Sequence, residues 1–117
     1  MKFHKLRIFL PSKDYALSKA FYQRLGFSIT WESEDLTTMT YDDIEFFLQK
    51  FYVKEWAENT MVQLFVDNIV EFYAFIERLK QEFPSIRFKP IQQEDYGITF
   101  HLLDPSGVLL HIMQHEV

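Results

Sequence analysis

The chain has 117 residues, 48% of them hydrophobic, with 13 Phe, only 3 Gly and 4 Pro, and a formal net charge of −5. That composition suits one packed core and argues against a disordered or low-complexity chain, and with no basic run nucleic acid is not an expected partner. With no cysteine there can be no disulfide, thiol nucleophile or Cys-based zinc site, and without a run of about 18 apolar residues or an apolar leader after Met1-Lys2-Phe3-His4-Lys5 the expectation is a cytoplasmic protein that does not span a membrane.

Phe3 to Leu10 reads as a strand. Leu6, Ile8 and Leu10 alternate with Lys5, Arg7 and Phe9, which predicts one aliphatic face and one face carrying a cation and a ring. Pro11 ends it, and Ser12 or Asp14 can cap a helix running to about Leu25. Leu17, Ala20, Phe21 and Leu25 form that helix's apolar stripe, and Gly26 suits its C-terminal cap. Phe27, Ile29 and Trp31 alternate with Ser28, Thr30 and Glu32, which predicts a second strand with the three large side chains on one face. Leu36 to Tyr41 and Ile44 to Gln49 are two further strands about an Asp42-Asp43 turn. Lys50 to Thr60 is a connector whose Phe51, Tyr52 and Trp56 predict packing onto the body of the protein.

A second, similar unit follows. Met61 to Val66 is a strand, and Asp67-Asn68 caps a helix, with Glu71 in a box-like position behind Asn68 and Phe72, Phe75, Ile76 and Leu79 on its buried stripe. Ile86 to Lys89 is a short strand, Gln92 to Tyr96 a polar turn, and Ile98 to Leu103 a strand. Asp104-Pro105-Ser106-Gly107 is a turn, because Pro restricts φ, Asp bonds the nearby backbone and Gly takes a conformation that other residues resist. Val108 to Gln114 then reads as a buried strand carrying one imidazole, His111. The whole is an α+β chain of two β-α-β-β-β modules in one domain spanning 1–117: module one about 3–49, a connector 50–60, and module two about 61–115. Each module covers one sheet face with its helix and leaves the other open. Two such sheets side by side predict a cleft with mixed polar and aromatic walls, suited to a small molecule.

Asp14, Ser18, Phe21-Tyr22 and Leu25-Gly26-Phe27, then Val66-Asp67, then Asp104-Pro105-Ser106-Gly107, resemble in that order the motifs of the vicinal oxygen chelate superfamily. This is the glyoxalase, bleomycin-resistance protein and extradiol dioxygenase group. The resemblance spans about Leu6 to Gln114. It implies a curved mixed sheet around a cleft, helices on the outer face, and a homodimer, which is also the commonest closed assembly. In the enzymes of this family a divalent metal sits on the concave face, held from the first and last strands of each module. The last-strand positions fall on His111 and Glu45, the first-strand positions near Arg7 and Met61. Arginine has no lone pair to donate and a thioether suits hard ions poorly.

The leading reading is therefore a small-molecule binding protein of the bleomycin-resistance kind, with no metal and no other cofactor, holding a planar or aromatic ligand. Phe47 and Trp56 would stack on the ligand, and Arg7, Gln63 and His111 would anchor it. The alternative is a glyoxalase-like lyase or a dioxygenase using one divalent metal on His111 and Glu45, its third ligand unassigned. Each candidate also has a plain structural role: His111 as a hydrogen-bonded core histidine, Glu45 as a solvated carboxylate, Arg7 reaching solvent, Trp56 packing on the core. His4, His101 and His115 have no recognisable partners in the sequence.

Overall fold

The structure, a computed structural model, describes residues 1–115. Helix α1 (Tyr15–Leu25) starts where the Asp14 carboxylate accepts from the Leu17 amide at 3.1 Å, satisfying a backbone donor that the first helical turn leaves free. It stops at Gly26, whose φ of +114° and closeness to Tyr41 leave no room for a Cβ: one built there would lie 2.9 Å from the Tyr41 ring. Helix α3 (Ile69–Leu79) is capped by Asn68, which accepts from the Glu71 amide at 3.0 Å. A short helix α2 (Lys54–Ala57) lies in the connector.

The strands form two mixed sheets. In the first, β1 (Phe9–Pro11), β2 (Ser28–Glu32), β3 (Leu36–Tyr41) and β4 (Ile44–Gln49) lie in the order β1-β4-β3-β2. In the second, β5 (Met61–Phe65), β6 (Arg87–Phe88), β8 (Gly97–Leu103) and β9 (Leu109–Gln114) lie in the order β5-β9-β8-β6, and β7 (Gln92–Glu94) pairs with β8. In both sheets the first strand runs parallel to the last and the remaining pairs are antiparallel. The duplicated α+β plan is thus present in the backbone, with β7 as an addition where a polar turn was expected at Gln92 to Tyr96.

One cluster of buried apolar side chains runs through both modules, from Phe21, Tyr22, Met39 and Leu48 to Ile76, Phe100, Leu110 and Ile112. Full burial of such a side chain stabilises the fold by about 1.5–3 kcal/mol. The modules meet where α1 lies on the Asp104 turn. Tyr22 donates to Asp104 Oδ2 at 2.6 Å, Ser18 and Ser106 share a hydroxyl bond of 3.1 Å, and the Lys13 amide donates to Ser106 Oγ at 2.9 Å. Phe21 packs edge-on against Phe83. No helix among the described residues is long and apolar enough to cross a membrane.

The first strand is much shorter than its alternation predicts. Residues 3–8 lie outside it, and Leu6, placed by the pattern on a buried face, is 87% exposed. The register explains this. Phe9 pairs with Phe47, so continuing the ladder would set Leu6 opposite Ile44, where β4 begins and which is itself exposed. An alternating pattern needs a partner strand and a cover, and here both run out.

Candidate functional site

The site grows from the faces of the two sheets turned away from the helices. On β4, Phe46 and Leu48 are buried, so Glu45 and Phe47 point to the open face. Phe9 is the parallel neighbour of Phe47, and the rings lie 4.8 Å apart. The Arg7 guanidinium sits 4.7 Å from the Phe47 centroid, and its Nε donates to Glu45 Oε2, which Lys5 also reaches at 3.0 Å. These hydrogen bonds, from Lys5 first and Arg7 second, hold the Glu45 carboxyl below its ordinary pKa. Glu45 is therefore a paired anion rather than a proton carrier.

Trp31 belongs to this face, against the alternation that grouped it with Phe27 and Ile29. Ile29 pairs with Met39, but Trp31 pairs with Thr38, so Thr30 is an extra residue in the strand. This β-bulge turns Trp31 over to the side of Thr38 and Phe47. A cross-strand row results, Phe9–Phe47–Thr38–Trp31, spanning all four strands. Trp31 is 54% exposed and Phe9 equally so. Such rings bring large apolar area with few torsions to freeze, which suits them to flat ligands.

The second sheet carries a polar row in the corresponding place. Gln63 on β5 is opposite His111 on β9, and His111 is opposite His101 on β8. The Gln63 side-chain amide donates to His111 Nδ1 at 2.9 Å, and the His101 and His111 rings pack edge-on at 5.2 Å. An accepting Nδ1 places the proton of the neutral ring on Nε2. Burial, then the neighbouring His101, depress the His111 pKa against a smaller opposing pull from Glu94. Tyr96 approaches the same ring at 6.3 Å. His101, which showed no partner in the sequence, is thus a member of the site, while His115 stacks on Phe65.

Arg7 and Phe47 are together, and so are Gln63 and His111, but no hydrogen bond, ion pair or ring contact among the described residues links the two pairs. Trp56 joins neither. It is 64% exposed on α2, 6.0 Å from the Phe51 ring, which is itself 47% exposed, so of the connector's aromatics only Tyr52 packs against the core. Trp31, unlike Trp56, lies in the same cross-strand row as Phe47. A groove of about 700 Å³ between the β3–β4 turn and α3, walled by Phe27, Tyr41, Phe72 and Phe75, contains none of the five expected ligand residues.

The positions that would carry a metal do not fit one. Arg7 cannot donate, Met61 offers a thioether and Glu45 is neutralised by two cations, which leaves His111, through Nε2, as the one free donor of the four. Among the described residues, no group of three or more His, Asp and Glu side chains is placed to share an ion. Three protein ligands with an open position are what a catalytic centre requires.

The comparisons with known proteins agree with this architecture. The family model of the Glyoxalase/Bleomycin resistance protein/Dioxygenase superfamily matches residues 5–112. A bleomycin resistance protein of Klebsiella pneumoniae is 32% identical over 115 residues, covering 92% of this chain and 90% of that one. A bleomycin-binding protein solved with bleomycin superposes with a TM-score of 0.78 at 24% identity, covering 97% of this chain and 100% of the other. The bleomycin-binding protein of Streptomyces verticillus, solved with copper(II)-bleomycin, gives 0.80 at 20% identity and 99% coverage of both chains. At these identities the two structures speak for the fold alone.

Proposed function

We infer that this chain, which belongs to the glyoxalase/bleomycin resistance protein/dioxygenase superfamily, sequesters a planar, aromatic small molecule in the cytoplasm without a metal and without chemistry on it. The observation that carries this reading is the row Phe9–Phe47–Thr38–Trp31, in which three aromatic rings flank a buried threonine and Phe9 and Trp31 are each 54% exposed. Stacking on it supplies affinity, and the Gln63–His111 pair supplies hydrogen-bonding direction. Arg7, tied to Glu45 and lying over Phe47, stiffens the strip and offers its remaining N–H groups to a ligand oxygen. The donor set argues against the enzymes of the family, since among the described residues no third ligand accompanies His111 and Glu45.

The working form is a homodimer. Each open face is half a binding site, and Phe9, Phe65 and Met61 leave large apolar area uncovered on a single chain. A second copy facing it would enclose a ligand between the aromatic and polar rows.

The test is calorimetric titration with bleomycin, the compound named for the Klebsiella relative, and with other planar aromatics, alongside light-scattering mass measurement. Binding to a dimer, weakened in Trp31→Ala, with the ligand recovered unaltered, is the expected result. An altered ligand, or a melting temperature raised by Zn²⁺, Ni²⁺, Mn²⁺ or Fe²⁺ in wild type but not in His111→Ala, would overturn the reading.

A further inference from the structure

The open face of the second sheet continues past His101 to the sheet edge, where a groove of about 660 Å³ is lined by Arg87, Phe88, Lys89, His101, Leu103 and Leu109. Among the described residues no carboxylate lines it. Arg87 and Lys89 are exposed, and neither lies within ion-pair distance of an acidic side chain among the described residues. Among the described residues four other cations are ion-paired, Lys5 and Arg7 with Glu45, Lys19 with Glu32 and Arg24 with Glu82. At the rim, Lys80 donates to the carbonyls of Pro84 and Ile86, which holds a third cation there. In a chain of net charge −5, this local reversal of sign is not a by-product of overall composition.

Two features tie the groove to the rows described above. Register places Arg87 opposite Leu103, and Leu103 opposite Leu109, one row from His101–His111 on the same face. The Lys89 amide donates to the His101 carbonyl at 3.1 Å, so Lys89 is fixed beside the imidazole pair. Cations over an apolar floor suit an anion attached to a flat hydrocarbon body, because the charge is paired at the rim while the body stays out of water.

We propose that this groove is a subsite for the anionic group, sulfonate, phosphate or carboxylate, of the planar ligand held on the open faces, with Leu103 and Leu109 as the apolar floor beside that group. It rests on the reading of the open faces as the ligand surface. Two fluorescent probes with the same aromatic body separate the ideas: 8-anilinonaphthalene-1-sulfonate and uncharged N-phenyl-1-naphthylamine. Wild type is expected to bind the sulfonate at least tenfold more tightly. The exposed double substitution Arg87→Gln/Lys89→Gln should abolish that preference and leave the neutral probe within twofold, while Lys50→Gln/Lys54→Gln, which removes equal charge from the connector, should change neither. In wild type, titrated naphthalene-1-sulfonate should shift the His101 imidazole resonances. Equal affinity for the two probes, a preference that survives Arg87→Gln/Lys89→Gln, or an unmoved His101 overturns the subsite alone. Neutral-probe binding untouched by Trp31→Ala overturns the underlying reading instead.

Discussion

Asp104→Ala should be the most damaging single polar substitution in the chain. Asp104 is 1% exposed. Its Oδ1 accepts from the Ser106 amide at 2.8 Å and the Val108 amide at 3.0 Å, and its Oδ2 accepts from Tyr22 of the other module at 2.6 Å. Truncation leaves three buried donors unpaired, each costing about 1–3 kcal/mol before the turn relaxes, so a total of about 3–5 kcal/mol is expected. Asp104→Asn keeps one accepting oxygen for the two amides and can donate to the Tyr22 hydroxyl, which limits its cost to about 1 kcal/mol. Tyr22→Phe should also cost about 1 kcal/mol, and a double-mutant cycle with Asp104→Ala should show coupling of about that size. Urea unfolding measures all four proteins. There is a pH signature as well. Burial raises the Asp104 pKa in the fold, and the hydrogen bonds from Tyr22 and the turn only partly oppose it. Protonation thus favours the folded state, and this contribution grows as pH falls through the folded pKa. Wild type should lose less stability than Asp104→Asn between pH 7 and the ordinary carboxylate range. An Asp104→Ala cost below about 1 kcal/mol would refute the three-donor argument, and parallel pH curves would refute the effect of burial on Asp104.

Other outcomes follow from the same geometry. Trp31→Ala should weaken binding of a planar aromatic ligand by about tenfold, in line with about 1–1.5 kcal/mol of ring–ring contact, whereas Trp56→Ala should change it less than about twofold. With only two tryptophans, ligand quenching in Trp56→Phe reads Trp31 directly, and an unquenched signal would remove Trp31 from the site. His111 behaves oppositely to Asp104: burial and His101 lower its pKa from 6.5, so its contribution is complete above that pH and drains as pH falls. Thermal melts between pH 7.5 and 5 should therefore fall less steeply for His111→Gln than for wild type, and equal slopes would contradict the assignment. Gly26→Ala should cost about 1–3 kcal/mol, since it forces a side chain into positive φ against the Tyr41 ring; a neutral result in urea unfolding would argue against that tight approach.

Local signals were legible in the sequence where local chemistry decides. Asp14, Gly26 and Asn68 cap helices as their residue types imply, and the Asp104 turn closes the β8–β9 hairpin. The order of elements in both modules follows from periodicity and punctuation. What was not legible depends on pairing. Residues 3–8 alternate like a strand but meet no partner along most of their length. Thr30 gives no sign that it is the extra residue, yet that one insertion decides which face Trp31 serves. His101 is different, because its signal was present: it lies five residues before Ser106 as His111 lies five after, so a hairpin turning there sets the two imidazoles opposite. The separation of the open faces into an aromatic half and a polar half was beyond pattern, since it depends on how α1 seats on the Asp104 turn.

The duplication explains why the two halves can differ so much in chemistry. Each sheet meets its helix through side chains of one parity, Phe46 and Leu48 in one module, Leu110 and Ile112 in the other, and these are uniformly apolar and buried. Residues of the opposite parity face away from the helices; His111, Met113 and Thr38 among them are still buried, while Phe9 and Trp31 are each 54% exposed, and substitutions at such exposed positions leave stability nearly untouched. On that parity one module carries Phe9, Phe47 and Trp31 and the other Gln63, His111 and His101, on the same strand plan. A flat ligand of the kind proposed uses both surfaces, the rings of the first sheet, with Arg7 beside them, to stack on and the Gln63–His111 pair of the second to orient it. Exchanging the rows, with Phe at 63 and 111 and Gln and His at 9 and 47, should leave a folded protein that has lost the Gln63–His111 hydrogen bond and the Phe9–Phe47 stack at their native places. Unfolding energies close to wild type would support the division between scaffold parity and ligand parity, and collapse of the fold would show that the open faces carry stability as well.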